Sequence, residues 1–171
     1  MSFQKNNLHI AYLKTEFSIE AKDGTLWVSP LRETQGLKEF LSRNGIMNWA
    51  IITPENPRSE VLSPEENQKR IAEFIKTGLH DEKTGERKWD SLDSISRPAP
   101  EYAADPERGF FIMNIFPWEA VRLGHQFGQN AIVIGKGADQ ISIVWCDHES
   151  QVAWDGGAGA STNPPTPHRT S

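Results

Sequence analysis

With 171 residues, 37% of them hydrophobic, the chain is long enough for one domain with a substantial core. A formal charge of -5 disfavours non-specific nucleic-acid binding, which draws on a basic surface. Cys146 is the only cysteine, which excludes an intrachain disulfide and a cysteine zinc cluster.

No apolar run reaches membrane-spanning length, and the first residues lack a signal-peptide core. The expected setting is the cytoplasm, with no membrane association. Six Trp point to a well-filled core or an aromatic-lined pocket.

His9–Glu20 alternates apolar and polar positions with one change of phase, which predicts a long strand bulged near Thr15. Lys22-Asp23-Gly24 supplies turn chemistry, and 25–29 reads as the returning strand of a hairpin. Leu37, Phe40 and Leu41 share a helical face within 34–44, and Gly45 stands at the left-handed C-terminal position. The apolar run 48–53 reads as a strand buried on both faces, which points to an α/β sheet.

Ser63-Pro64-Glu65-Glu66 is a capped helix start, with a Ser cap, Pro at the first turn and Glu three residues after the cap. Ile71, Phe74 and Ile75 form its stripe, and Asn67 lies on that inward stripe one turn earlier. Leu79 to Arg108 shows no sustained periodicity and carries Pro98, Pro100 and Pro106, so it reads as a long insertion or lid.

Two further apolar strands, 109–115 and 131–135, flank a helix opened by Pro117. Strand, helix, strand predicts a βαβ unit with two parallel strands. The run 141–146 then returns antiparallel at an edge, with Cys146 as a buried, inert thiol. After Trp154 the composition shifts to Gly, Ala, Ser, Thr and Pro, which cannot support a core and reads as a disordered tail. The expectation is a single α/β domain, 1–153, with a mixed, mostly parallel sheet, an N-terminal hairpin and flanking helices, and a tail over 154–171.

The best site candidate is the loop after the first buried strand, carrying Thr53, Glu55, Asn56, Arg58 and Ser59, together with Asn67 and Arg70 on the following helix. Loop N–H groups and a helix N-terminus converge there in open α/β sheets. Arg58 and Arg70 have the chemistry of a bidentate clamp for phosphate or carboxylate. The bland alternative pairs them with Glu65, Glu66 or Glu73. Glu107 stands at the start of a buried strand, where burial would raise its pKa and make it the only credible general base; the bland alternative is an ordinarily solvated carboxylate. Gln129-Asn130 joins a helix to a strand, which in a parallel unit is the sheet end away from ligands. No Walker loop, dinucleotide turn or HExxH spacing occurs, so no cofactor and no metal is assigned.

Several separated pieces together resemble the bacterial domain-of-unknown-function family 3293. They are Ala11-Tyr12 with Thr15, the run 49–53, Asn56-Pro57 with Ser59, Glu66-Asn67 with Arg70, Glu107 before Phe110, and 127–131. The chain departs from the family at Pro54-Glu55 and in a longer 79–108 segment. The resemblance carries no activity. It implies that Tyr12, Thr15, Asn56, Asn67, Arg70, Glu107 and Gln129 belong together, as a shared site or as a shared buried network.

The leading functional expectation is a protein that binds a small anionic or nucleotide-like ligand, with Glu107 catalytic if the chain is an enzyme. Tyr12, Thr15, Thr53, Asn56, Arg58, Asn67, Arg70 and Gln129 would contact that ligand. The rival is a non-catalytic interaction or regulatory module, in which the polar set is structural and 79–108 meets a protein partner.

Overall fold

The computed structural model describes residues 3–147; the tail expected over 154–171 lies outside them. The elements are α1 (Phe3–Leu13), β1 (Glu16–Ala21), β2 (Gly24–Val28), α2 (Leu37–Arg43), β3 (Asn48–Ile52), α3 (Pro64–Glu73), β4 (Ser91–Arg97), β5 (Glu107–Met113), α4 (Pro117–Gln126), β6 (Ala131–Lys136) and β7 (Gln140–Trp145). The strands form one seven-stranded sheet in the order β2-β1-β4-β5-β3-β6-β7.

The sheet corrects the expected mostly parallel architecture, because every neighbouring pair is antiparallel. An apolar strand shows that both faces are covered and says nothing about the direction of its neighbours. Here helices on both faces supply the cover. β3 sends Ala50 and Ile52 to one core and Trp49 and Ile51 to the other. The supposed βαβ unit is also resolved. β5 and β6 do point the same way, as a helical crossover through α4 allows, but β3 runs antiparallel between them.

The N-terminus differs as well. Residues 9–13, expected in a strand, complete α1, and β1 begins only at Glu16. Leu8, Ala11, Tyr12 and Thr15 fall at i, i+3, i+4 and i+7, a helical stripe hidden inside a run that also alternates. The change of phase near Thr15 is therefore the helix-to-strand junction, where the Thr15 hydroxyl donates to Ala11 O at 2.9 Å. Within the 79–108 segment, β4 occupies an interior place between β1 and β5.

Local signals elsewhere act as written. The capping box of α3 has Glu66 N donating to Ser63 Oγ at 3.2 Å and Ser63 N to Glu66 Oε2 at 3.0 Å. A π-helical turn, Phe74–Gly78, continues that helix. The β1–β2 hairpin and the antiparallel edge strand β7 also form.

On one face of the sheet α3 and α4 bury a core around Phe74, which meets Phe110 at 5.2 Å and Phe127 at 4.8 Å between ring centroids. The other face packs against α2 around Trp49 and Phe111. Trp49 lies flat over Gly135 of β6, where an added Cβ would stand 1.9 Å from the indole. Its ring N–H donates to Gly137 O at 3.0 Å, so the buried donor is satisfied.

Candidate functional site

Antiparallel pairing gathers alternate strand starts and strand ends at one rim of the sheet. Glu16 faces Arg97, Ser96 faces Glu107, and Ile51 faces Val133. The starts of β1, β5 and β6 therefore meet the ends of β4 and β3. In a parallel sheet Gln129-Asn130 would lie at the opposite end from Thr53; here they are neighbours at the same rim.

At this rim a cavity of about 320 Å³ opens on the α2 side of the sheet. Its floor is apolar, from Phe17, Ile51, Val133 and Ile143. Its roof is the α1 stripe of Leu8, Ala11, Tyr12 and Thr15, with Tyr102 from the 98–105 segment beside it. Thr53, Asn56, Glu107 and Gln129 also line it. Six of the expected site residues thus share one cavity, although they come from four distant parts of the chain.

The loop 56–59 forms one wall and is strained. Asn56, Arg58 and Ser59 have φ of 48°, 52° and 61°, in the left-handed region. Such a conformation costs roughly 1 kcal/mol or more for a non-glycine residue, and it persists only where surrounding bonds over-determine it. They do so here. Asn56 N donates to Asn67 Oδ1 at 3.0 Å, and Asn56 Oδ1 accepts from Asn67 Nδ2 and Leu62 N, both at 2.9 Å. Arg58 N donates to Gly128 O at 2.8 Å, and Asn130 Nδ2 donates to Ser59 Oγ at 2.9 Å.

Glu107 is half-buried, and its Oε1 accepts from Asn56 Nδ2 at 2.7 Å. Burial pushes its carboxyl above the usual range; the Asn56 bond opposes this, and nearby Glu55 adds to it. The charged side chains lining the cavity are Asp105 and Glu107, both acidic. Gly109, two residues along β5, permits close packing there. A Cβ at Gly109 would stand 2.7 Å from Thr53 Oγ1 and 2.8 Å from Ile52 O.

The two arginines do not form a clamp on this cavity. Arg70 reaches inward from α3, with Nε donating to Pro54 O at 2.7 Å and Nη2 donating to Phe127 O. Its desolvation lowers the guanidinium pKa, and its fork ties the β3–α3 loop to the end of α4. Arg58 is exposed and lines a separate shallow pocket with Lys5 and His125. Asn67 is buried beneath Asn56, outside the cavity wall.

Gln129 Nε2 donates to Glu55 O at 3.3 Å, and Asn130 Nδ2 also reaches Tyr12 Oη at 3.4 Å. Ser96, Tyr102 and Asp105 line the cavity without having been singled out in the sequence. Ser96 carries no local signal; only the β4–β5 register sets it opposite Glu107.

Burial pushes the Cys146 thiol up to about 12, with Asp147 adding to the rise, so this cysteine stays protonated. Among the described residues no cluster of three or more His, Cys, Asp or Glu could hold a metal ion. No helix among them is long and apolar enough to cross a membrane.

The architecture is thus an antiparallel α/β sheet with helices on both faces and a polar-rimmed cavity under α1. Residues 52–132 match the model of a family described as protein of unknown function (DUF3293), and over this stretch the chain is similar to that family. The match contains Thr53, Asn56, Asn67, Arg70, Glu107 and Gln129, and leaves out Tyr12 and Thr15 on the α1 side. No curated protein and no solved structure matches the chain.

Proposed function

We propose that the protein binds a small molecule in the cavity beneath α1, with an apolar body on the sheet and a hydrogen-bond-donating group on Glu107. The observation that carries this reading is the meeting of a half-buried carboxylate with an apolar cavity of about 320 Å³. Glu107 uses Oε1 for Asn56, while Oε2 takes no hydrogen bond among the described residues. A desolvated carboxylate with a spare lone-pair face is poorly matched to an empty apolar wall and well matched to a donor.

The strained 56–59 loop supports the same site, since backbone strain of this kind collects at ligand clamps. An anionic or nucleotide-like ligand is less well supported here, because Arg58 and Arg70 lie outside the cavity. Asn67 and Arg70 serve instead as the scaffold of the loop, which is the network reading applied to those two residues alone.

Should the bound molecule also react, Glu107 is the group placed to accept a proton from it. A raised pKa makes a carboxylate a stronger base once it is ionised.

The test is a fragment screen followed by amide NMR. Binders should perturb signals from Tyr12, Thr53, Asn56 and Glu107. Ala11→Phe, which fills the cavity from its roof, should abolish those perturbations while the melting temperature stays within a few degrees. Fragments whose perturbations map elsewhere, or binding that survives the filled cavity, would sink the proposal.

A further inference from the structure

Resting on the cavity as the ligand site, we infer that its ligand class is an amine, a primary or secondary ammonium joined to a compact apolar group. Asn56, Gln129 and Asn130 bring three amide side chains to the cavity, and each turns its NH2 toward the protein. Asn56 Nδ2 goes to Glu107, Gln129 Nε2 to Glu55 O, and Asn130 Nδ2 to Tyr12 and Ser59. The amide oxygens of Gln129 and Asn130 take no hydrogen bond among the described residues, and neither does Glu107 Oε2. The hydroxyls of Tyr12, Thr53, Ser59 and Tyr102 also line the cavity and can donate or accept, so the groups left there that can act in one sense only, the carboxylate and amide oxygens, are acceptors.

Charge points the same way. Asp105 and Glu107 line the cavity, Glu55 stands behind Glu107, and no Lys, Arg or His is among the lining residues. An incoming carboxylate or phosphate would meet two acids and no cation, with only neutral hydroxyls to donate to it. An incoming ammonium would meet a carboxylate and amide oxygens, which can take its donors. A half-buried carboxylate with no cation beside it is unfavourable, and an ammonium held there removes that penalty. The apolar floor of Phe17, Ile51, Val133 and Ile143 then accounts for the rest of the molecule, and its size suits a single ring or a short branched chain.

A matched set of probes tests this: 2-phenylethylamine, 2-phenylethanol and phenylacetate, titrated by calorimetry at neutral pH and low salt. The three share one apolar body and differ in head group alone. The amine should bind about tenfold tighter than the alcohol, as expected for one charge-assisted hydrogen bond in a partly desolvated site, and phenylacetate should bind weakest. Glu107→Gln, which keeps an acceptor for Asn56, should bring the amine down to the affinity of the alcohol. Asp105→Asn, at the exposed rim, should weaken the amine less.

Equal binding of amine and alcohol, or tightest binding by phenylacetate, overturns the amine assignment and leaves the cavity as a ligand site. An amine preference that survives Glu107→Gln overturns it too. Failure of all three probes to bind counts against the cavity as a site for ligands of this size, and the amine assignment goes with it.

Discussion

The two faces of the sheet are built from the same strands and treated differently. On one, α3 and α4 lay continuous apolar stripes across the strands, and Phe74, Phe110 and Phe127 interlock with Phe74 at 0% exposure. On the other, α2 covers only part of the surface, and α1 spans the remainder with a mixed stripe of Leu8, Ala11, Tyr12 and Thr15. Ile10 of α1 is 46% exposed, so its apolar residues are not all turned inward. A dry face holds the fold, and a loosely roofed face leaves a cavity. The difference lies in the helices, since β3 supplies large apolar side chains to both sides.

The sharpest test of that contrast compares two truncations. Phe74→Ala should cost about 3–5 kcal/mol in denaturant unfolding, because it empties a site enclosed on all sides. Leu8→Ala, which borders a space already present, should cost less than about 1 kcal/mol. Equal costs would mean that α1 is as tightly integrated as α3.

Next come the arginines that the sequence grouped together. Arg70→Ala leaves the carbonyls of Pro54 and Phe127 without their donor and should destabilise by about 1–3 kcal/mol. Arg58→Ala, at an exposed position, should change stability by less than about 0.5 kcal/mol. Its backbone strain argues that Arg58→Gly is the informative partner variant, relaxing φ of 52° at little steric cost. A large loss for Arg58→Ala would restore a structural part to that side chain.

The smallest effect belongs to pH. Glu107 has a raised pKa in the folded chain, so between its ordinary value and that raised value the native state holds more proton than the unfolded state. Stability contributed by this group is therefore present at low pH and falls as pH rises through that window. Glu107→Gln should lack that fall, and the difference between the two unfolding curves against pH isolates it. A difference of opposite sign would show that the Asn56 bond outweighs burial.

Much of the local structure was legible because it is encoded within a few residues. The Ser63–Glu66 box, the turn at Asp23-Gly24, and Gly45 with φ of 63° each act through neighbours in sequence. The 9–13 stretch was not, since a segment that fits both periods is decided by what it packs against. The alternating pattern of 10–19 masked a helical stripe whose partner, Trp145 against Tyr12 at 6.0 Å between ring centroids, lies far along the chain. β4 gave little signal for the same reason: Ser94 and Ser96 place small polar side chains in an interior strand, with an exposure of 1% at Ser94.

The candidate site divides along the same line. Asn56, Asn67 and Arg70 lie within one strand–loop–helix unit, and their association can be read from spacing. Their separate parts, Asn56 at the cavity and the other two behind it, cannot be. The amino-acid sequence by itself determined a mixed α/β fold, the capped helix, the apolar strands and the polar residues worth watching. Strand direction was decided by tertiary structure alone, because apolar runs pair equally well either way and only long-range register chooses. That choice put the starts of β5 and β6 beside the end of β3, so Glu107, Gln129 and Thr53 face one cavity.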